Sequence, residues 1–362
     1  MKIIDLSNRD NMFYWQTNRL LTAEETKRIF LERYENLSED LIEKIINYGM
    51  KSAGFRGKNT RIDKSQGIIK RGSVNSVIPI ILQSEKKVVL RIHPKNVKNG
   101  YFWVEKTATD LARKFDVPTY KTIFIDDSQK VIPHDFMIMS AVKGKPMQDV
   151  DLSNKDLEKK LVTETGRYAA LIHQVKPKGF GFFLNQLAKE KKGLQGQYKL
   201  FKDHIFAALY IDLRYLVDNG VLNKNQNKTI ESLFNKSDDL MKCKQGSLIH
   251  NDIADWNELS DGKSVTGIMD WDECFCGDRL MEVAAYSLFY GEPRLTWFKE
   301  GYSEVNKLEK NEDKFQLFKL RYLISKMHLR KKRSTIDPSP TMKQNIVRGI
   351  QAMEEVFDYF GF

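Results

Sequence analysis

The 362-residue sequence is 41% hydrophobic and 30% charged, enough to bury a sizeable core and to argue for two domains or one domain in two lobes. No stretch is apolar for long enough to span a bilayer, Asp5 and Asp10 interrupt the N-terminus before any run that could serve as a secretory signal, and three cysteines (Cys243, Cys274, Cys276) argue against a disulfide framework and fit a reducing cytoplasm. The net charge of +11 raises nucleic acid or an anionic membrane as a partner, yet residues 247–282 hold nine acidic side chains against Lys263 and Arg279, so the positive excess sits elsewhere.

Two helical patterns open the chain, over residues 23–34 and 38–50. The second has Ser38 as its N-cap and Leu41, Ile42, Ile45 and Ile46 at helical spacing. Three strands in hairpin succession are expected over 62–69, 74–82 and 87–92, with Arg71-Gly-Ser73 in the first turn. A helix over 97–115 stops at Pro118, and strands over 121–125 and 131–139 close a first lobe. Residues 140–150, with Gly144 and Pro146, form the connection onward. Beyond Leu152 the pattern is helical nearly throughout, over 157–174, 197–216, 228–242, 314–330 and 342–360, except around 250–271. The basic run His328-Leu-Arg-Lys-Lys-Arg333 reads as a solvated helix end. No aromatic-interleaved basic motif accompanies it, which argues against a nucleic-acid partner.

The sharpest signal is His250-Asn-Asp-Ile-Ala-Asp-Trp-Asn257, followed by Gly267-Ile-Met-Asp-Trp271. Phosphoryl transfer needs a carboxylate beside the attacking hydroxyl and metal ligands that bridge phosphate oxygens. An H-x-D-x-x-x-x-N loop supplies both. Asp252 is placed to orient the acceptor hydroxyl and take its proton, and Asn257 to reach a metal from the other side of the loop. The apolar run 264–269 delivers Asp270 as a second metal ligand, and hard oxygens of this kind suit Mg²⁺. His250 is expected to hold backbone. A lone H-x-D would be a structural turn, but here two spaced motifs stand in the right order.

These residues resemble the aminoglycoside phosphotransferases, whose catalytic loop typically reads H-G-D-x-x-x-x-N and whose metal aspartate lies in an I-D-W or I-D-F context. Asn251 stands where their glycine is usual. The continuation Trp271-Asp-Glu-Cys-Phe-Cys-Gly-Asp-Arg-Leu-Met-Glu-Val-Ala284 is similar to the hygromycin-modifying branch, where a short G-D-x-x-x-E/D-x-A segment enters a helix directly. Protein kinases instead insert a long activation segment. The resemblance implies an α+β, protein-kinase-like fold with a small antiparallel β lobe and a larger helical lobe. The implied division is accessory helices over 1–52, a nucleotide-binding lobe over 53–140 and a catalytic, substrate-binding lobe over 141–362.

The resemblance also implies the nucleotide site. Val88-Val-Leu-Arg-Ile92 matches the strand that carries the phosphate-binding lysine in kinases, with Arg91 in the lysine's place, as in hygromycin-type members. Arginine can engage phosphate oxygens bidentately, although the departure admits a non-catalytic nucleotide-binding pseudokinase, and a surface arginine on an edge strand is the plainer alternative. Glu105 is the implied ion-pair partner of Arg91. Gly72, Ser73, Asn75 and Ser76 correspond to the phosphate-side loop, where backbone N–H groups and hydroxyls cradle phosphates. Met139 and Ala141 fall in the hinge whose backbone meets the adenine. ATP and GTP both remain open as donors.

For the acceptor, Asp255, Glu258, Asp272, Glu273, Asp278 and Glu282 form an acidic cluster that would attract a cation, with Asp272 and Glu273 as the expected substrate contacts. Acidic loops are also ordinary surface. The insertion 183–227 often forms a substrate lid in this family. Its lysines between Lys189 and Lys202 suit an acceptor with its own phosphate or carboxylate. The expected function is a cytoplasmic small-molecule kinase with no membrane partner. An aminoglycoside or hygromycin-like antibiotic is the first acceptor, and an amino alcohol or sugar metabolite the alternative.

Overall fold

A computed structural model describes residue 17 and residues 21–32, 37–55, 57–70 and 74–362. Helices α1 (Ala23–Glu32) and α2 (Glu39–Ser52) come first, and the Ser38 hydroxyl accepts the Leu41 N–H to cap α2. Strands β1 (Ile62–Ser65), β2 (Ser76–Leu82) and β3 (Lys87–Ile92) lead into helix α3 (Phe102–Ala112). Strands β4 (Thr122–Asp126) and β5 (Phe136–Ser140) then complete an antiparallel sheet of order β1-β2-β3-β5-β4.

Alternation along the strands sorts this sheet's two faces. Ile78, Ile80, Val88, Leu90, Ile92, Phe136 and Ile138 form one core with Ile42, Ile45, Ile46 and Met50. Helix α2, expected within an accessory segment, is therefore built into the sheet's core. Gly49 lets it approach, since a Cβ there would collide with Ile138. The opposite face places Met137 and Met139 in a common cluster with Val104 and Ala108 of α3. Arg91, out of phase with Leu90 and Ile92, belongs to this second face.

The remaining chain holds nine helices: α4 (Lys155–Ile172), α5 (Asn185–Lys189), α6 (Phe201–Phe206), α7 (Leu209–Asp218), α8 (Lys224–Lys236), α9 (Leu280–Ser287), α10 (Arg294–Ser303), α11 (Glu312–Arg333) and α12 (Pro340–Phe360). Seven short strands run among them: β6 (Lys145–Pro146), β7 (Phe180–Phe183), β8 (Gly196–Tyr198), β9 (Ser247–Ile249), β10 (Glu258–Ser260), β11 (Val265–Ile268) and β12 (Phe275–Gly277). They build a three-stranded sheet β11-β10-β6 and a four-stranded sheet β8-β7-β12-β9. No helix among the described residues is long and apolar enough to cross a membrane.

Several expected boundaries move. Outside the excepted stretch 250–271, the near-continuous helix expected beyond Leu152 is interrupted by β7, β8, β9 and β12 of the four-stranded sheet, and the helix expected over 197–216 is β8, α6 and α7 in succession. Helix α3 starts at Phe102 because Asn99 Oδ1 accepts the N–H groups of Tyr101 (2.7 Å) and Phe102 (2.6 Å), which makes 97–101 an entry loop. The strand expected over 131–139 is shortened to β5. The stretch before it serves as a bracket, with the Asp135 carboxylate accepting the Asn99 N–H at 2.6 Å. Strand β1 ends at Ser65, beyond which Ile69 pairs with Val77 as an isolated bridge. Residues 33 and 34, expected at the end of α1, lie outside the described residues.

Candidate active site

The loop after β9 is held from beneath by one carboxylate. Glu282, in the first turn of α9, is buried and accepts the N–H groups of His250 (2.6 Å) and Asn251 (2.9 Å). His250 is also buried. Its Nε2 meets the Met269 carbonyl at 2.9 Å, and its Nδ1 accepts the Asp252 N–H at 3.3 Å, so the bonds fix an Nε2–H tautomer. Asn257 Nδ2 donates to both the Asp252 carboxylate (2.7 Å) and the Asp252 carbonyl (2.9 Å). The indole of the exposed Trp256 points at the same carboxylate, 3.4 Å away.

Register brings the second motif alongside. Strands β10 and β11 pair Glu258 with Ile268, and one step further the Met269 N–H donates to the Asn257 carbonyl at 2.8 Å. Asp270 therefore emerges beside Asn257, in a left-handed backbone conformation (φ 60°). From the strand lobe, Arg91 reaches across. Its Nη1 lies 2.6 Å from Glu105 Oε2, and its Nη2 lies 2.9 Å from Asp270 Oδ1 and 3.5 Å from Asp272 Oδ2. Burial works against the guanidinium charge, but the three carboxylates outweigh it and hold Arg91 above its ordinary range.

Two further groups fix Arg91. Tyr120 donates to Glu105 Oε2 at 2.9 Å. The Asn75 amide, turned to satisfy its neighbours, donates to His93 Nδ1 and accepts from Arg91 at 3.1 and 3.2 Å. Of the other expected nucleotide contacts, Ser76 opens β2 opposite Ile92 and Met139 is buried in β5. The Ala141 N–H is already given to the Lys87 carbonyl at 3.3 Å. Gly72 and Ser73 lie outside the described residues.

The acidic cluster is engaged internally. Asp255 takes Arg294 Nη1 at 2.9 and 3.1 Å, and Asp278 takes Lys314 at 2.7 Å. Glu258 is buried against the Thr165 hydroxyl, and burial pushes its carboxyl up to about 8. Asp272, expected to contact substrate, is buried behind Asp270 against Arg91; burial and the Asp270 charge raise its carboxyl. Glu273, the other expected contact, is tied to Lys326 at 2.8 Å. Three of the insertion's lysines are paired too, Lys189 with Asp127 at 2.6 Å, Lys192 with Glu190 at 2.6 Å and Lys202 with Asp238 at 2.5 Å.

The model of the phosphotransferase enzyme family, APH, matches residues 68–315, more than half of the chain. The chain belongs to that family. No curated protein matches its sequence. Among solved structures, a thermostable mutant of aminoglycoside phosphotransferase APH(4)-Ia in ternary complex with AMP-PNP and hygromycin B is 18% identical, with a TM-score of 0.59 over 83% of this chain and 95% of that one. A putative fructosamine-3-kinase from Thermobifida fusca YX-ER1 is 16% identical, with a TM-score of 0.61 over 88% and 99%. The macrolide 2'-phosphotransferase MphH from Brachybacterium faecium is 12% identical, with a TM-score of 0.57 over 85% and 98%. At these identities the likeness establishes the kinase-like fold.

In this APH phosphotransferase the donor set suits a hard cation that brings ligands of its own. Among the described residues no group of three His, Cys, Asp or Glu side chains is arranged to hold a metal by itself. Asn257 spends its Nδ2 on Asp252, which turns Oδ1 the other way, and the Asp270 side chain keeps 40% of its surface exposed while Arg91 and Asp272 beside it keep 7% and 8%. Two protein oxygens fit Mg²⁺, which commonly completes its shell with phosphate oxygens and water.

The sequence reading missed the contribution of α11 to this phosphotransferase. Tyr322 donates to Asn251 Oδ1, Lys326 holds Glu273, and the charge of Asp252 acts on both Lys326 and Arg330. The recurrence of polar residues every fourth position, from 322 to 330, was the available signal.

Proposed function

We propose that this phosphotransferase transfers the γ-phosphoryl group of ATP or GTP, with Mg²⁺, to a hydroxyl of a small molecule. The observation that carries the reading is the single Asn257 amide that grips the Asp252 carboxylate while the β10–β11 register sets Asp270 at its side. Asn257 Oδ1 and Asp270 are the groups that would hold Mg²⁺, which when bound offsets charge on the phosphate oxygens. Arg91, steadied by Glu105 and Asn75, binds and orients phosphate oxygens from the strand lobe. Asp252 accepts the acceptor's hydroxyl proton as that oxygen bonds to the γ-phosphorus. The bond to the bridging oxygen breaks, and its electron pair leaves with the nucleoside diphosphate.

An aminoglycoside acceptor draws support from the hygromycin B complex of the APH(4)-Ia fold, and amino alcohols and sugars are the alternative within the same chemistry. The test is transfer from Mg·ATP and Mg·GTP across hygromycin B, other aminoglycosides, amino alcohols, sugars and sugar acids. Asp252→Ala should lower kcat on any acceptor by about 10²–10⁴-fold while nucleotide still binds. Asp270→Ala should instead remove the Mg²⁺ dependence of nucleotide binding. Undiminished transfer by Asp252→Ala would overturn the role of Asp252. Nucleotide binding with turnover of no acceptor would favour a pseudokinase.

A further inference from the structure

We infer that the acceptor carries a negative charge of its own, a carboxylate or phosphate, held by Lys326 and Arg330 on α11. The inference rests on the kinase reading and, within it, selects an anionic acceptor over the cationic aminoglycoside. Tyr322, Lys326 and Arg330 succeed one another at four-residue steps, which places them along one face of the helix. The first of the three donates to Asn251, next to Asp252. Lys326 follows, 2.8 Å from Glu273 Oε2, an oxygen that Asn251 Nδ2 approaches at 3.4 Å. Arg330 stands one turn further on, where the charge of Asp252 still reaches it. This face of α11 therefore starts against the catalytic loop and carries both cations past it.

The charges on this face are unequally matched. Lys326 has Glu273. Arg330 Nη1 donates to the Asn345 carbonyl at 3.1 Å, and among the described residues no carboxylate lies within ion-pair distance of the guanidinium. The acid whose charge does act on it is Asp252. Arg330 is half-buried, and most of the five donors of its guanidinium are given to no other group among the described residues. A carboxylate or phosphate on the acceptor would fill the fork bidentately.

The opposite charge preference has no support from the acidic residues around the loop. Asp255, Asp272, Glu273 and Asp278 already face Arg294, Arg91, Lys326 and Lys314, and Glu282 is spent on backbone N–H groups. A cationic acceptor would find these carboxylates engaged, and among the described residues Asp252, the proposed base, is the acid of the loop left without a cation of its own. In the insertion that suggested anion recognition from the sequence, Lys189, Lys192 and Lys202 are paired with acids of the chain.

The test is calorimetric titration of the Mg·AMP-PNP-loaded protein with four probes of one hexose skeleton, glucosamine, glucose, gluconate and glucose 6-phosphate. Gluconate or glucose 6-phosphate should bind at least tenfold more tightly than glucose, with glucosamine weakest, and whichever anion leads distinguishes carboxylate from phosphate. Arg330→Gln should abolish the preference. Glu273→Gln, which leaves the contact between α11 and α12 intact, should strengthen it by freeing Lys326, a gain that a merely structural role for these cations would not produce. Equal affinities, preference for glucosamine, or failure of both anions to bind would overturn the inference. Failure of Mg²⁺-dependent AMP-PNP loading would instead sink the kinase reading.

Discussion

Asn251 shows what one substitution in a motif demands. It stands where the resembling family has glycine, and its φ of 74° lies in the left-handed region that glycine enters freely and asparagine tolerates better than most residues. The larger side chain is put to use, accepting from Tyr322 and donating to the Glu273 carbonyl at 3.3 Å. Asn251→Gly should keep the backbone and lose those bonds, whereas Asn251→Ala should lose them and add strain of about 1–2 kcal/mol. Urea unfolding of the two variants gives the difference directly, and equal stabilities would remove the strain argument. Arg91 is the converse case, a charge that others depend on. Arg91→Met would leave Glu105 and Asp272 buried beside each other without a cation, and should cost about 3–5 kcal/mol in the same measurement. A loss below about 1 kcal/mol would mean the carboxyls simply take up protons. The motif residues here were legible because their chemistry is local in sequence. Tyr120 and His93 were not, and Asn75, expected among the phosphate contacts, stands against Arg91 because β2 pairs with β3.

Among the secondary-structure elements, legibility followed length. Strand β3 has the expected limits, and α2, α4, α11 and α12 lie within a few residues of theirs, because an apolar stripe repeated over three or more turns is hard to mistake. The strands of the two small sheets have two to four residues each, too few to show alternation, and β6–β10, β7–β12 and β9–β12 pair segments distant in sequence. The end of α11 misled for a different reason. Its basic run suggested a solvated terminus, yet His328 is buried, stacked on Tyr215 at 4.0 Å and bonded to Asp212 at 2.7 Å. Arg333 lies over the Phe30 ring at 5.0 Å, and Phe30 shares a cluster with Leu21, Ile29, Val74, Val97 and Ile336. Helix α1 thus touches the strand lobe next to Asn75 and the helical lobe at the end of α11. Phe30→Ala should cost about 3 kcal/mol and raise the KM for nucleotide, since Val74 precedes the residue that steadies Arg91. Melting curves with and without nucleotide check both effects, and a stability loss with unchanged nucleotide affinity would confine α1 to a packing role.

For the whole molecule, the order of lobes was readable because hairpins and long helices segregate along the chain, but the seam between them was not. That seam is built from the Ile268 N–H donated to the Pro118 carbonyl at 2.8 Å, the Thr119 hydroxyl donated to the Ile268 carbonyl at 2.7 Å, the Tyr101 hydroxyl on the Cys274 carbonyl, and Arg91 on Asp270. Holding it closed requires polar groups to be buried, and buried histidines make stability depend on pH. His93 is fully buried, and burial, with the nearby charges of Arg91 and His134, lowers its imidazole from 6.5 to about 3. His173, also buried, is lowered by burial despite Glu282. A histidine with a depressed folded value takes up its proton more readily when unfolded. Its contribution is therefore fully present above about pH 6.5 and is lost as pH falls toward 3, at about 1.4 kcal/mol per pH unit for each such group. The protein should accordingly lose about 2–3 kcal/mol between pH 6.5 and 4.5 through His93 alone. His93→Gln, which can still bond Asn75, should be less stable than the native protein at pH 7.5 but should lose less on acidification, so that the two curves of urea midpoint against pH converge near pH 4.5. Parallel curves would show that His93 takes up its proton equally in the folded and unfolded chains and that the acid sensitivity of the fold lies elsewhere.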